Sequence, residues 1–379
     1  MKGILNILLS FSLFAFFSCN KSTINNGEIY SKEYKKEIFE SRKDLSLHIL
    51  SNEVPGMSLA VAVDNEIVWS EGLGLASIEL DVPTTPETKF RIGGVTKMFT
   101  AAVFAKLAEE GKIDPEKSVR DYLPELPVDK QPIKLIHLAQ NTAGFRQPEP
   151  QELRYTQFAN LQKGISTFTD DTLLFAPGEY CFESDLGYDL LGAAIERATN
   201  HPFSKVLSEI LTDTLHLKST VCDDPMLIIP NRSDCFERSI IARPFMASTF
   251  DNRQHVSSTG LLSSAADIVL LMNEYLTPKY FKPETIQKII TPVKLNNGTT
   301  VGSGMGISLI KDNMGNILYI ANGSTVGGSA TVFVNPEYKL VIALITNISD
   351  EQNGLPILKV AETFLRKIAP ERFKSKPEN

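Results

Sequence analysis

The sequence is poor in the residues that staple or metallate a fold. Among 379 residues there are four cysteines, five histidines and one tryptophan. No Cys-x-x-Cys pair and no His-x-x-x-His spacing occurs. Neither a metal nor another cofactor is therefore expected. A nucleic-acid footprint is missing too. The 38 basic residues are outnumbered by 45 acidic ones, the formal charge is -7, and Lys and Arg are evenly spread, so phosphates would find no basic stripe. No apolar run reaches the roughly 20 residues that a spanning helix needs. What remains is an ordinary globular composition, 42% apolar and 22% charged, with core enough for one large domain or two intergrown ones.

The N-terminus carries more information. Lys2 precedes an apolar run from Ile4 to Phe17, broken only by Asn6, Ser10 and Ser12, and Ser18-Cys19 follows. A charged start, a short apolar stretch and a small residue before a cleavage point read as a signal peptide over 1–18. Phe16-Phe17-Ser18-Cys19 is similar to a bacterial lipobox, with Phe at two positions where aliphatic and small residues are usual. Cys19 is thus the expected lipidation site, and the chain is expected to be an exported, membrane-anchored lipoprotein of a bacterial envelope. The polar stretch after Cys19 suits a tether over 19–32, with the folded domain following at 33–379. If Cys19 carries lipid, Cys181, Cys222 and Cys235 remain. The last two are close enough in sequence to pair in an oxidising compartment.

Apolar spacing predicts an amphipathic outer helix over Lys35–Leu50. Met57–Val63 and Glu66–Glu71 read as strands joined by a tight turn at Asp64-Asn65. Val95–Glu110 reads as a helix apolar almost all round, hence buried, and ended by Gly111. The segment from about 114 to 252 is mostly helical, clearest at Leu186–Thr199 and Phe203–Leu215. Strand patterns return at Gly304–Ile310, Ile317–Ile320, Ala330–Val334 and Leu340–Thr346, before a last amphipathic helix over Leu355–Ile368. The simplest architecture is α+β. A mostly antiparallel sheet from 55–75 and 300–347 is flanked by terminal and central helices, with a helical second lobe and a site between the lobes.

Phe90-Arg91-Ile92-Gly93-Gly94-Val95-Thr96-Lys97 opens the buried helix and resembles the Ser-x-x-Lys segment of the serine β-lactamase and penicillin-binding protein family. In that motif a nucleophile on the first turn gains from the positive end of the helix, and a Lys three residues on takes its proton. Here the Lys stands as Lys97, but the nucleophile position is Gly94. Literal Ser-x-x-Lys occurs at Ser18/Lys21, in the signal and tether, and at Ser308/Lys311, in a strand where residues three apart face opposite ways.

The resemblance runs from about Pro55 to Asn347. It passes through Trp69-Ser70-Glu71-Gly72-Leu73-Gly74, Leu138-Ala139-Gln140-Asn141-Thr142-Ala143-Gly144, Pro177-Gly178 and Gly187-Tyr188-Asp189-Leu190-Leu191-Gly192. Gly260-Leu261-Leu262-Ser263-Ser264 and Asn322-Gly323-Ser324-Thr325-Val326-Gly327-Gly328 complete it. Order and spacing are similar to the branch holding class C enzymes, esterases and mitochondrial β-lactamase-like serine proteases. The resemblance implies a Tyr-x-Asn before the helix at Leu186, where this chain reads Glu183-Ser184-Asp185. It also implies a Lys or His on an inner strand, where this chain has Asn322.

Each departure also has a plain structural reading. Gly94 and Asp185 are acceptable helix N-caps, Asn322 is a common turn residue, and Lys97 on an apolar helix needs a carboxylate for stability alone. The leading expectation is a catalytically inactive homologue. Its cleft (Gly94, Lys97, Glu183, Asn322, Gly323 and Ser324) would bind a small molecule, peptide or cell-wall fragment, or the chain would bind a protein partner. The alternative is a hydrolase of esterase, peptidase or β-lactamase type, with Glu183 activating water in place of a serine.

Overall fold

The computed structural model describes residues 27–149, 151–152, 158–239, 243–349 and 356–373. The signal-like run and Cys19 lie outside the described residues. The chain joins the sheet earlier than the sequence suggests. Ile29–Tyr30 (β1) pairs antiparallel with Ser70 and Trp69, inside the stretch expected to be tether.

Asp64 and Asn65 both have positive φ, at 50° and 66°. A two-residue hairpin turn of matching twist requires this, and Asp and Asn tolerate it better than most residues. The turn joins Gly56–Val63 (β2) to Glu66–Ser77 (β3). After the long helical excursion come Ser308–Lys311 (β4), Ile317–Thr325 (β5), Gly328–Asn335 (β6) and Leu340–Thr346 (β7). The main sheet runs β1-β3-β2-β7-β6-β5-β4, with Val82–Pro83 added beside β3. β7 is inserted between β2 and β6, in register Leu340↔Val63 through Thr346↔Met57. The two ends of the chain therefore share one sheet.

The central strands are apolar on both faces, so alternate residues feed two different cores. Leu59, Val61, Phe333, Leu340, Ile342 and Leu344 pack on one side with helices Lys35–Ser51 (α1) and Ile357–Ile368 (α5). Ala60, Ala62, Val332, Val341, Ala343 and Ile345 pack on the other, in the core that holds Thr96–Glu109 (α2), Asp185–Thr199 (α3) and Ala265–Leu276 (α4). The predicted helix over Phe203–Leu215 is shorter, Phe203–Leu207, and widens into a π turn at Ser208–Thr212. Among the described residues no helix is long and apolar enough to cross a membrane.

Candidate active site

The site forms where strand β5 meets the start of α2. Gly93 has φ +51°, and a Cβ there would strike the Ser324 backbone at 2.7 Å. A Cβ on Gly323 would come within 2.2 Å of the Ile92 carbonyl oxygen. These two glycines let strand and helix start touch through bare backbone. Gly94 is different. It lies in the 3₁₀ turn Gly93–Val95 that leads into α2, and its φ is ordinary. A Cβ there would sit 3.7 Å from Lys97 Nζ and 3.2 Å from the Asn322 carbonyl oxygen. The slot for a nucleophile's side chain persists with no side chain in it.

Lys97, in the first turn of α2, points to the same place, as residues three apart on a helix do. Its side chain is 3% exposed and its Nζ lies 2.6 Å from both Glu183 Oε1 and Asp185 Oδ1. The ammonium also sits 6.0 Å from the Tyr188 ring centroid. Burial draws the Lys97 pKa down, but the charges and hydrogen bonds of Asp185 and Glu183 outweigh it, and the result lies above the ordinary lysine value. Lys97 is an ammonium throughout the neutral range. Tyr188 is held well above the usual tyrosine value, first by burial and then by nearby acids; its hydroxyl donates to the Ala139 carbonyl at 2.6 Å.

The two carboxylates are held by the backbone around them. Ser184 caps α3, accepting from Gly187 N–H at 3.1 Å. The Asn141 carbonyl receives Phe182 N–H, and the Asn141 side-chain oxygen receives Ser184 N–H. Gln147 donates to the Glu183 carbonyl and accepts from Asp185 N–H. Glu183 is left 63% exposed at the mouth, while Asp185 lies deeper. Asp185 in the first turn of α3 also faces the favourable end of that helix.

The cleft has a volume of about 270 Å³, and Gly94, Lys97, Glu183 and Asn322 all line it. Gly323 and Ser324 follow Asn322 along β5, where their backbone touches Ile92–Val95. Three of the plain readings need correction. Asp185 is the first residue of α3 and Ser184 is its cap, because the Ser184 side chain reaches the N–H three residues on. Gly94 is not a cap, since the turn Gly93–Val95 precedes α2. Asn322 is no turn residue but sits within β5, paired with Thr331. Ser308 and Lys311 occupy strand β4 as expected; only Ser308 reaches the cleft.

Asn141, Cys181, Ser303, Gly306 and Ile307 also line the cleft and were not singled out in the sequence. Asn141 lay inside a quoted motif, and its φ of +57° is the reason an Asn suits the position. Cys181 and the 303–307 wall carry no motif at all. Cys181, Cys222 and Cys235 are all free thiols, so the possible Cys222–Cys235 pairing is not made. Burial raises all three thiols, Cys222 to about 12, which makes none of them a ready nucleophile. Among the described residues no cluster of His, Cys, Asp and Glu is arranged to hold a metal.

A family model described as β-lactamase matches residues 36–360. The human protein named serine β-lactamase-like protein LACTB, mitochondrial, is 26% identical over an alignment of 439 positions, which covers 86% of this chain and 79% of that one. The protein flp of Staphylococcus aureus is 22% identical, covering 79% of this chain and 60% of its own length. Among solved structures, the octameric penicillin-binding protein homologue from Pyrococcus abyssi superposes with a TM-score of 0.75. It shares 22% identity, covering 87% of this chain and 76% of that one. FmtA from Staphylococcus aureus gives 0.73 at 19% identity, covering 93% and 94%.

Proposed function

The chain belongs to the β-lactamase family, and on that premise we propose that it is a non-catalytic member, an exported lipoprotein whose cleft binds a ligand without turning it over. One observation carries the reading: Lys97, the residue placed to act as base, is clamped at 2.6 Å by two carboxylates behind a position that has no hydroxyl. An ammonium accepts no proton, and Gly94 has none to give. The cleft keeps polar lining in Asn141, Ser303, Ser308 and Asn322, which suits recognition.

The charges favour one class of ligand. One buried cation faces two carboxylates, so the cleft carries one net negative charge, and β5 offers Asn322 where a cation would attract an anionic substrate. An acidic ligand end is disfavoured, and a cationic amino group is favoured. A peptide amino terminus or an amino-sugar fragment of the cell wall fits.

Incubation with a fluorescent penicillin and a fluorophosphonate, followed by intact mass, tests inactivity. No adduct is expected, and either adduct overturns it. Calorimetry with amino-bearing and N-acetylated cell-wall peptides tests the ligand class, and the free amine should bind at least tenfold tighter. Glu183 favours a second reading, since its exposed carboxylate stands at the mouth beside the empty Gly94 slot. Ester turnover that is lost in Glu183→Gln would select that reading, with water as the nucleophile.

A further inference from the structure

A second cavity, of about 700 Å³, is larger than the cleft and shares no lining residue with it. Its walls come from the helix Phe203–Leu207, the strand Val221–Cys222 and the uncharged run Leu227-Ile228-Ile229-Pro230. Cavities of roughly 300–1,000 Å³ are the size that holds small ligands. Leu161, Phe203, Leu207 and Val256 line it and belong to the main core. Leu227 and Ile228 line it as well, yet are 59% and 99% exposed. Apolar lining therefore runs from the core out to water.

The charged groups in the cavity are unevenly matched. Its three carboxylates, Glu196, Asp223 and Asp224, are all engaged. Glu196 accepts from Gln162 Nε2 and Phe203 N–H, both at 2.8 Å. Asp223 accepts from Arg91 Nε at 2.7 Å and Asn252 Nδ2 at 3.0 Å. Asp224 accepts from Met226 N–H at 2.8 Å. Of the cations, Arg253 is held by Asp251 at 2.6 Å.

The two lysines differ. Lys89 is only 8% exposed, and its Nζ donates to a single acceptor, the Pro230 carbonyl at 3.1 Å. An ammonium carries three donors. Lys89 has no ion pair among the described residues; Asp267, which feels its charge, instead accepts from Ser219 N–H and the Thr220 hydroxyl. Lys218, exposed where it lines the cavity, has no side-chain partner among the described residues either. Cationic donors are left over while the carboxylates are taken, and a buried cation without a counter-charge is costly. That imbalance selects an anion, and the apolar walls select what the anion is attached to.

We propose that this cavity is a second ligand site, for a single acyl chain that ends in an anionic head group. Lys89 and Lys218 hold the head, and Leu161, Phe203, Leu207 and Val256 take the chain. Burial of the chain drives entry, and the charge-assisted hydrogen bonds of the two ammonium groups fix its direction. The site is independent of what the cleft binds.

Calorimetry on the full chain with decanoate, decyl phosphate, decanol and butanoate tests this. Decanoate or decyl phosphate should bind saturably, one per chain, and the tighter of the two identifies the head group. Decanol lacks the charge and butanoate lacks the chain, so each should bind at least tenfold more weakly. Lys218→Met leaves the core untouched and should weaken the anion at least fivefold, as should Lys89→Met. The remote exposed Lys359→Met should change nothing. Absence of saturable binding overturns the site. Decanol binding as tightly as decanoate overturns the cationic head, and butanoate doing so overturns the apolar chain. Affinity unchanged in Lys218→Met, or in Lys89→Met with an intact near-ultraviolet circular dichroism spectrum, places the ligand elsewhere and overturns the site.

Discussion

At residue 94 the geometry for a serine is nearly complete. A Cβ fits with one tight contact, 3.2 Å to the Asn322 carbonyl oxygen, and Lys97 Nζ is 3.7 Å away. Gly94→Ser should therefore fold with little loss of stability. It should nevertheless fail to acylate with a β-lactam or a fluorophosphonate, because Lys97 stays protonated and cannot activate the new hydroxyl. Glu183 would also oppose the anionic tetrahedral intermediate. The combined variant Gly94→Ser, Glu183→Tyr, Asp185→Asn, Asn322→His should acylate at least tenfold faster, since such groups act as a unit. Acylation rates by intact mass compare the two, and a single variant as fast as the combined one would make Glu183 and Asn322 competent catalytic residues. Neutralising only the clamp, with Glu183→Gln and Asp185→Asn, leaves a buried ammonium without a counter-charge. It should cost about 3 kcal/mol in urea unfolding at pH 7. The sequence alone exposed this site because Lys97 kept its motif position while its partners changed. It could not show that Ser184 rather than Asp185 caps α3. Both residues are able to cap, and side-chain reach decides between them.

At the scale of elements, α2 and α3 meet through Lys97 and Tyr188, and both groups make stability fall at high pH. The folded Lys97 pKa is raised above its ordinary 10.5. Its contribution is complete below that value and lost as pH rises through the higher folded pKa. Tyr188 is kept neutral in the fold while an unfolded tyrosine ionises near 10, so the unfolded chain loses that proton first. Each group should steepen the fall by up to about 1.4 kcal/mol per pH unit above its unfolded pKa. Urea unfolding between pH 9 and 11.5 should show a shallower slope in Lys97→Met and again in Tyr188→Phe; an unchanged slope in Lys97→Met would refute the charged clamp. On the opposite face of the sheet, α1 and α5 close the second core around Phe364. It is fully buried and stacks 5.6 Å from Tyr34 and 6.4 Å from Trp69. Phe364→Ala should cost about 3–5 kcal/mol in the same assay. These helices were readable from their apolar stripes, and the Asp64-Asn65 hairpin from residues that tolerate positive φ. The two-residue β1 was not, since a strand that short has no period to detect. The cleft wall at 303–307 has neither motif nor charge, and only the packing of the loop after Thr300–Val301 beside Lys97 brings it there.

At the scale of the whole molecule, β7 lies between β2 and β6, so the sheet is incomplete until both ends of the chain are present. That both ends contribute strands was legible in the apolar runs at 57–63 and 340–346. Their adjacency was not, because periodicity gives faces and not neighbours. The run Ile4–Phe17 would span only about 21 Å as a helix, against about 30 Å of hydrocarbon. It is too short to hold the protein in a bilayer as a spanning segment. Under the proposed lipoprotein reading, stable attachment needs acyl chains, and a single chain gives only marginal binding whereas two or more hold firmly. Cys19→Ala should accordingly move most of the protein from the membrane to the soluble fraction, and labelled fatty acid should enter the unmutated protein but not the variant. No label in the unmutated protein would refute the anchor.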